Sequence, residues 1–334
     1  MKIVIDAMGG DYGPSVVIEG AVQAAKEYGV GIVLIGDAEK IKREISKHKV
    51  RGLDIEVEHA EEAIEMHEPA AASVRKKRDS SIVKGINLLK EGKADAFISA
   101  GNTGAVVCAA TLSLRMLSGI ERPGISIIVP TLKGVSLLID VGANIDPKPL
   151  HLLHYGVMSD AYARYILNKE NPSVGLLNVG EEEGKGTDFI KETFALLEKS
   201  GLNFIGNVEG RDIFSGTCDI ILCDGFVGNA ILKVSEGLAE TISVFLYREL
   251  MRNLATKLGV LLLKSGLKRF KKTMDYSEYG GAPLLGVDGV VIISHGRSNA
   301  KAIKNAVRVA KEEVERKVNE KIMESIQRNL PAAP

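Results

Sequence analysis

A chain of 334 residues can bury a substantial core without disulfide or metal staples. Its 43 lysines and arginines balance 43 aspartates and glutamates, which argues against a protein held to nucleic acid by a net basic field and leaves charged partners to local patches. Charged residues at 26% and apolar residues at 45%, without long Pro, Ser or Gln tracts, argue against disorder.

Glycine is abundant and aromatics reach only 5%, a mixture that favours tight turns between strands and helices over aromatic ligand platforms. The opening MKIVIDAMGGD meets Asp6 before an apolar signal region can develop. The uncharged run from Ala96 to Leu114 is long enough to be weighed as a membrane span, yet Ser99, Gly101, Asn102, Thr103 and Gly104 interrupt it as a turn does. Cys108, Cys218 and Cys223 show no metal spacing and read as reduced, buried thiols in a reducing cytoplasm.

In chain order, strands are predicted over residues 2–7, 31–35, 54–58, 94–99, 125–129, 136–140, 174–178, 204–208, 219–223 and 290–294. Amphipathic stretches of helical length fill most gaps, the βαβ pattern of a largely parallel sheet. Pro14 suits the first turn of a helix reaching about Tyr28, and Asp37 and Thr187 suit N-caps. Residues 226–274 carry no strand signal and are predicted to leave the sheet as a helical arm, within one large α/β domain spanning 1–334.

Three strand-to-helix turns carry the chemistry. In SAGNTGA, Ser99 to Ala105, Gly101 and Gly104 admit close backbone approach, while free amides, Asn102 and Thr103 suit phosphate oxygens at a helix N-terminus; the same residues also fit a tight turn with a threonine cap. In NVGEEEGKGTD, Asn178 to Asp188, the glycines are one residue too close for a P-loop and Gly186 stands where Ser or Thr would hold Mg²⁺. Lys185 there either reaches an anion or belongs to a solvated charged loop. In CDIILCDGFVGNAILK a buried strand delivers Asp224 and Gly225 to a turn, with Asn229 placed to donate to an oxyanion or to serve as a structural cap. The chain has no G-x-S-x-G and no H-E-x-x-H. His151 and His154, spaced i,i+3 on a predicted helix, lack acidic ligands nearby in sequence, so no metal site is predicted.

DAMGGD at 6–11, SAGNTGA, DVGAN at 140–144, LLNVG with EEEGKG, CDGFVGN with LK, and YGGAPLLGVDGVVIISHGRSN at 279–299 occur in that order. Together they resemble the phosphate acyltransferases of bacterial phospholipid synthesis over nearly the whole chain. The resemblance implies transfer of a long-chain fatty acyl group from acyl carrier protein to inorganic phosphate, making acyl phosphate for a membrane-bound glycerol-3-phosphate acyltransferase. It implies a homodimer, no metal or nucleotide cofactor, and an α/β/α sandwich with a mostly parallel sheet, related to isocitrate and isopropylmalate dehydrogenases and to phosphotransacetylase. The family's lysine and asparagine fall on Lys185 and Asn229.

Chemistry then suggests roles: the Ser99–Ala105 turn binds phosphate, Lys185 offsets gathering charge, Asn229 steadies the tetrahedral oxyanion, and Asp6, Asp140, Asn144 and Asp224 stand around them. Two basic clusters, Arg75 to Arg78 and Lys264 to Lys272, suit an acidic carrier protein or remain solvated faces. In the second, Val260, Leu261, Leu262 and Leu263 precede Lys264, Lys268, Arg269, Lys271 and Lys272, a pattern for an anionic membrane surface, for the carrier protein, or for a subunit interface. The expected location is cytoplasmic, with peripheral contact at the inner face of the plasma membrane as the further option. The alternatives are a phosphotransacetylase-like or dehydrogenase-like enzyme on the same fold, and a non-enzymatic anion-binding scaffold.

Overall fold

The computed structural model describes residues 1–274 and 276–329, the side chains of 271–274 and 276 excepted. Among these the strands are β1 (Lys2–Asp6), β2 (Gly31–Gly36), β3 (Ile55–His59), β4 (Ala96–Ser99), β5 (Gly124–Thr131), β6 (Gly134–Ile139), β7 (Ser173–Leu177), β8 (Asn203–Val208), β9 (Ile220–Leu222), β10 (Ala282–Leu285) and β11 (Val290–Ile293). The α-helices are α1 (Ser15–Tyr28), α2 (Ala38–Ile45), α3 (Ala70–Lys76), α4 (Ser81–Lys90), α5 (Thr103–Leu114), α6 (Pro149–Tyr165), α7 (Asp188–Glu198), α8 (Gly225–Leu250), α9 (Leu254–Met274), α10 (Ala300–Glu315) and α11 (Val318–Asn329).

All eleven strands join one sheet in the order β3-β2-β1-β4-β11-β10-β5-β6-β9-β7-β8. Seven of its ten pairings are parallel. Apolar strands such as GIVLIG, buried at every position, require cover on both faces, which is why helices sandwich the sheet. Alternation along β1 divides the core: Val4 belongs with Phe97 and Val106 to the cluster on one face, whereas Ile3 and Ile5 belong with Ile18, Ile32 and Ile303 to that on the other. A third cluster joins Leu137, Ile139 and Leu176 to Tyr155 and Tyr162 of α6.

The three antiparallel pairings set direction. β10 opposes both β11 and β5, and β5 and β6 form a hairpin. Strands β1, β4, β11 and β5 therefore run one way, and β6, β9, β7 and β8 the other. The predicted strands are present with ends shifted by one or two residues; β10 was not predicted, because Gly280, Gly281, Pro283 and Gly286 make its four residues read as a turn. Asp37 accepts from Glu39 and Lys40 N–H at 3.1 Å, and Thr187 from Ile190 N–H at 3.4 Å, as caps.

The arm differs from a single helical stretch. It breaks at residues 251–253, where Asn253 Oδ1 accepts from Thr256 N–H at 2.9 Å and Thr256 Oγ1 accepts from Asn253 N–H at 3.2 Å, a reciprocal cap that starts α9. Only Gly225 and Gly228 of α8 are buried, and Val234, Leu238, Ile242 and Phe245 form an exposed apolar stripe. Leu261, Leu262 and Leu263 of α9 are also exposed, and Val260 is half-buried. No helix among the described residues is long and apolar enough to cross a membrane.

Candidate active site

The first group of predicted residues gathers where β1, β4 and β11 end. Asp6 is buried; its Oδ1 accepts the Met8 N–H at 3.1 Å and its Oδ2 the Ser99 hydroxyl at 2.7 Å, while Ser99 Oγ accepts the Gly101 N–H at 3.0 Å. Burial pushes the Asp6 carboxyl above its ordinary value, against the hydrogen bonds from Ser81 and Ser99 that favour its charge. The turns after β1 and β4 touch through backbone, since a Cβ on Gly9 would lie 2.6 Å from the Gly101 nitrogen.

Asn102 departs from its predicted part. It caps α5, with Oδ1 accepting the Ala105 N–H at 3.0 Å, and its Nδ2 donates to the carbonyls of Glu65, Met66 and Glu68 at 3.0–3.2 Å. The cap is therefore this asparagine rather than a threonine, and both its amide hydrogens serve the protein. The Thr103 and Gly104 amides, which begin α5, have no hydrogen-bond partner among the described residues; Thr103 is half-buried and Gly104 exposed. Two open N–H groups at the positive end of a twelve-residue helix are donors of the kind an anion's oxygens accept from. Beside them lies α3, with a Gly104 Cβ position 3.0 Å from Ala70. Of the cations in that segment, Lys77 is held by Glu68 at 2.5 Å, whereas Arg75, Lys76 and Arg78 are exposed.

The second group lies where β6 and β9 end. The buried Asp140 accepts through Oδ1 from the N–H groups of Ile125, Gly142 and Ala143 at 2.9–3.1 Å and through Oδ2 from the Asn144 N–H at 2.7 Å. Burial raises its carboxyl too, in opposition to those four bonds. Asn144 Nδ2 donates to the Pro123 carbonyl at 2.6 Å and to Tyr155 Oη at 2.7 Å. Asp224 caps α8, accepting from Phe226 and Val227 N–H at 3.0 and 2.9 Å. A Cβ on Gly228 would sit 1.9 Å from the Asp140 carbonyl oxygen, so glycine alone lets α8 approach the turn. Asn229, one residue on, is exposed, lies against Gly142, and has no hydrogen-bond partner among the described residues.

Lys185 stands apart from Asn229. It lies on the loop between β7 and α7, exposed, with Nζ 3.9 Å from Glu182 and its carbonyl accepting from Asn178 Nδ2 at 3.2 Å. Among the described residues no hydrogen bond or ion pair joins it to Asn229 or to the β4 turn. The fold thus unites Asp6, Ser99 and Gly101, and separately Asp140, Asn144, Asp224 and Asn229, at the ends of strands that run in opposite directions.

Several neighbours were not predicted as catalytic or phosphate-binding residues. A cavity of about 420 Å³ beside Asn144 is lined by Arg122, Asp146, Lys148 and His151. His151 Nδ1 accepts the Lys148 N–H at 3.0 Å, so Nε2 carries the proton and donates to Glu121 at 3.0 Å. The acid that the sequence lacked near His151 is thus supplied from thirty residues away, though no group of three metal-ligating side chains occurs among the described residues. Burial pushes the Cys218 thiol up to about 12 and Cys223 well above its ordinary value, which removes them as nucleophiles near neutral pH. On the arm, Lys264, Lys268 and Arg269 are exposed, and the side chains of Lys271 and Lys272 lie outside the described residues. His295 and Arg297, in the last quoted motif, follow β11 beside the β4 turn; their position after a strand was the available signal.

This is an α/β fold of the kind shared by phosphotransacylases and a group of dehydrogenases. A phosphotransacetylase from Streptococcus pyogenes superposes with a TM-score of 0.60 at 17% identity, covering 94% of each chain. A 4-hydroxythreonine-4-phosphate dehydrogenase from Klebsiella pneumoniae does so at 0.53 and 12%, covering 94% of this chain and 99% of that one. The family model described as "Fatty acid synthesis protein" matches residues 1–321. A curated relative named "Phosphate acyltransferase", from Geotalea uraniireducens, is 51% identical over 331 residues, 99% of this chain and 96% of the relative. The chain belongs to this family of acyltransferases.

Proposed function

We propose that the enzyme transfers a long-chain fatty acyl group from the thioester of acyl carrier protein to inorganic phosphate, yielding acyl phosphate for phospholipid synthesis. The observation that carries this reading is the pair of open amides at Thr103 and Gly104, on the SAGNTGA turn of a chain whose family bears the phosphate acyltransferase name. Phosphate supplies the nucleophile. Its oxygen attacks the thioester carbonyl, the tetrahedral adduct collapses with cleavage of the carbon–sulfur bond, and the carrier's thiol departs with the proton that phosphate loses.

Asn229 is placed to donate to the oxyanion, and Lys185 to offset the charge of attack. The two strand-end groups are bridged by α8: Asn229 precedes Glu236 by two helical turns, about 10 Å, and Glu236 reaches the segment beside the β4 turn. Arg75, Lys76 and Arg78, beside α5, suit an acidic carrier protein. The α8 stripe suits a second copy in a homodimer, and the α9 tip an anionic bilayer on the cytoplasmic side, where a membrane glycerol-3-phosphate acyltransferase would take the product.

Purified protein incubated with carrier-protein thioesters should release the carrier only when phosphate is present, with a hydroxylamine-sensitive acyl phosphate as product. Equal thioester loss without phosphate would identify a hydrolase instead.

A further inference from the structure

The cavity of about 420 Å³ beside the 140–144 turn is lined by two exposed cations, Arg122 and Lys148, whose charged ends have no hydrogen bond or ion pair among the described residues. Their backbones are fixed. Asn144 Nδ2 donates at 2.6 Å to the carbonyl of Pro123, next to Arg122, and the Lys148 N–H donates at 3.0 Å to Nδ1 of the buried His151. With Nδ1 an acceptor the His151 ring is neutral, and its Nε2 proton goes to Glu121 at 3.0 Å, so that the acid beside Arg122 in sequence is already engaged. The lining therefore sets two cations against one carboxylate, that of Asp146, on a concave surface that concentrates their field. The cavity adjoins the Asn229 side of α8. The Asn144 carbonyl accepts the Gly225 N–H at 2.9 Å, and Phe226, next along, precedes Asn229 by three residues and so shares its side of the helix. Ile145 of the lining is 72% exposed and Phe226 65%. Unpaired cations in a cavity, with open apolar side chains beside them, match an anion that is attached to an apolar thioester or reacts with one.

We propose that this cavity is a phosphoryl site serving acyl transfer at Asn229, with Arg122 and Lys148 as its cations and Asp146 as the opposing charge that limits its affinity. The proposal rests on the reading of the enzyme as a thioester-to-phosphate acyltransferase, and not on which group meets the Thr103 and Gly104 amides. That reaction brings two phosphoryl groups to the protein: inorganic phosphate, and the phosphodiester of the phosphopantetheine arm on which a carrier protein holds its thioester. Both present tetrahedral oxygens that a guanidinium fork takes in pairs and an ammonium meets as a point charge. The volume falls among small-ligand sites, roughly 300–1,000 Å³, and admits either. Because Arg122 and Lys148 have no partner to surrender, an arriving phosphoryl group displaces only water from them.

The test is steady-state kinetics of the purified full chain at constant ionic strength. Inorganic phosphate is varied against saturating carrier-protein thioester, and the thioester is then varied with phosphopantetheine or pantetheine present as competing inhibitor. If inorganic phosphate is the occupant, Arg122→Ala should raise its KM roughly tenfold or more, as loss of a charge-assisted contact does, and Arg122→Lys should restore part of the loss. If the arm is the occupant, phosphopantetheine should inhibit the parent more strongly than pantetheine, and Arg122→Ala should abolish that difference while the phosphate KM stays put. In either case Asp146→Asn should shift the same constant the opposite way by about two- to fivefold, the scale of an exposed charge pair, a reversal of sign that a structural role would not produce. Melting temperatures identify any variant that has not folded, and Lys148→Ala with Asp146→Asn supplies the answer if Arg122→Ala is one. An unchanged phosphate KM together with an unchanged inhibitor difference, in folded Arg122→Ala and Lys148→Ala, overturns the proposal, as does equal weakening of phosphopantetheine and pantetheine. A parent enzyme whose thioester release ignores phosphate overturns the acyl-transfer reading instead, and the inhibitor comparison still reports on the cavity.

Discussion

Asp6 and Asp140 are the same device used twice. Each is a buried carboxylate at the end of a strand, each takes hydrogen bonds from backbone N–H groups or a hydroxyl, and neither has a cation within ion-pair distance among the described residues. Their raised carboxyl values register what it costs to keep that charge away from water. What they hold is the turn itself, and the turns hold the groups that would meet substrate. At this scale Asn229 and Lys185 are distinguished by lack of structural work in their side chains: among the described residues the Asn229 amide has no hydrogen bond and the Lys185 ammonium only a loose contact at 3.9 Å, so their removal leaves nothing buried and unpaired. Asn229→Ala and Lys185→Ala should keep native circular dichroism and lose about 10²- to 10³-fold in turnover each, the scale of one transition-state donor. Near-native activity in both would remove them from the mechanism.

Among the elements, the short α3 shows how the β4 turn is held. Glu68, just before it, takes the Lys77 ammonium at 2.5 Å, the Ser73 hydroxyl at 2.8 Å and the Glu65 N–H at 3.1 Å, while its carbonyl receives Asn102. Those bonds, that of Lys77 foremost, hold the Glu68 carboxyl at about 2 against an ordinary 4.5. A depressed acid stabilises the fold above its unfolded value and loses that contribution as pH falls toward its folded one. Glu68→Gln should therefore unfold at lower urea than the parent at pH 6, with the gap narrowing as pH drops from 4.5 toward 2. A gap of constant size across that range would mean that Glu68 acts through shape and not through charge. The same loss should loosen the loop that Asn102 grips.

At the scale of the whole molecule the arm stands out. Leu262 is 80% exposed and Leu238 58%, on consecutive helices that contribute little to the core. A soluble chain seldom leaves so much apolar surface open without a use. The α9 tip, with Lys264, Lys268 and Arg269 beside its leucines, suits reversible docking on anionic lipid. Leu262→Glu should abolish sedimentation with anionic vesicles while the parent's oligomeric state and turnover persist, and raised salt should weaken binding by the parent. A parent that is dimeric and never binds vesicles, with the dimer lost in that variant, would assign the segment to a subunit interface.

The type of each element was written locally. KIVID and GIVLIG read as buried strands, Asp37 and Thr187 as caps, and SAGNTGA as a strand-to-helix turn, because side-chain periodicity and cap chemistry act within a few residues. Where the strands point was not local. The β10–β11 and β5–β6 reversals are local, but the orientation that sets the Asn229 group at strand ends opposite in sense to the β4 turn also needs β10 to pair with β5, a segment more than a hundred residues away. The sequence likewise offered Asn102 as a donor to phosphate, yet its donors go to carbonyls more than thirty residues upstream. It showed no acid near His151, which Glu121 reaches only in space, and no tie between His295 and Glu236. Propensity, caps and glycine turns are short-range energies that a single segment already contains. Which side chains meet across strand ends is decided by close packing of the whole sheet, and that exists only after distant segments have chosen their neighbours.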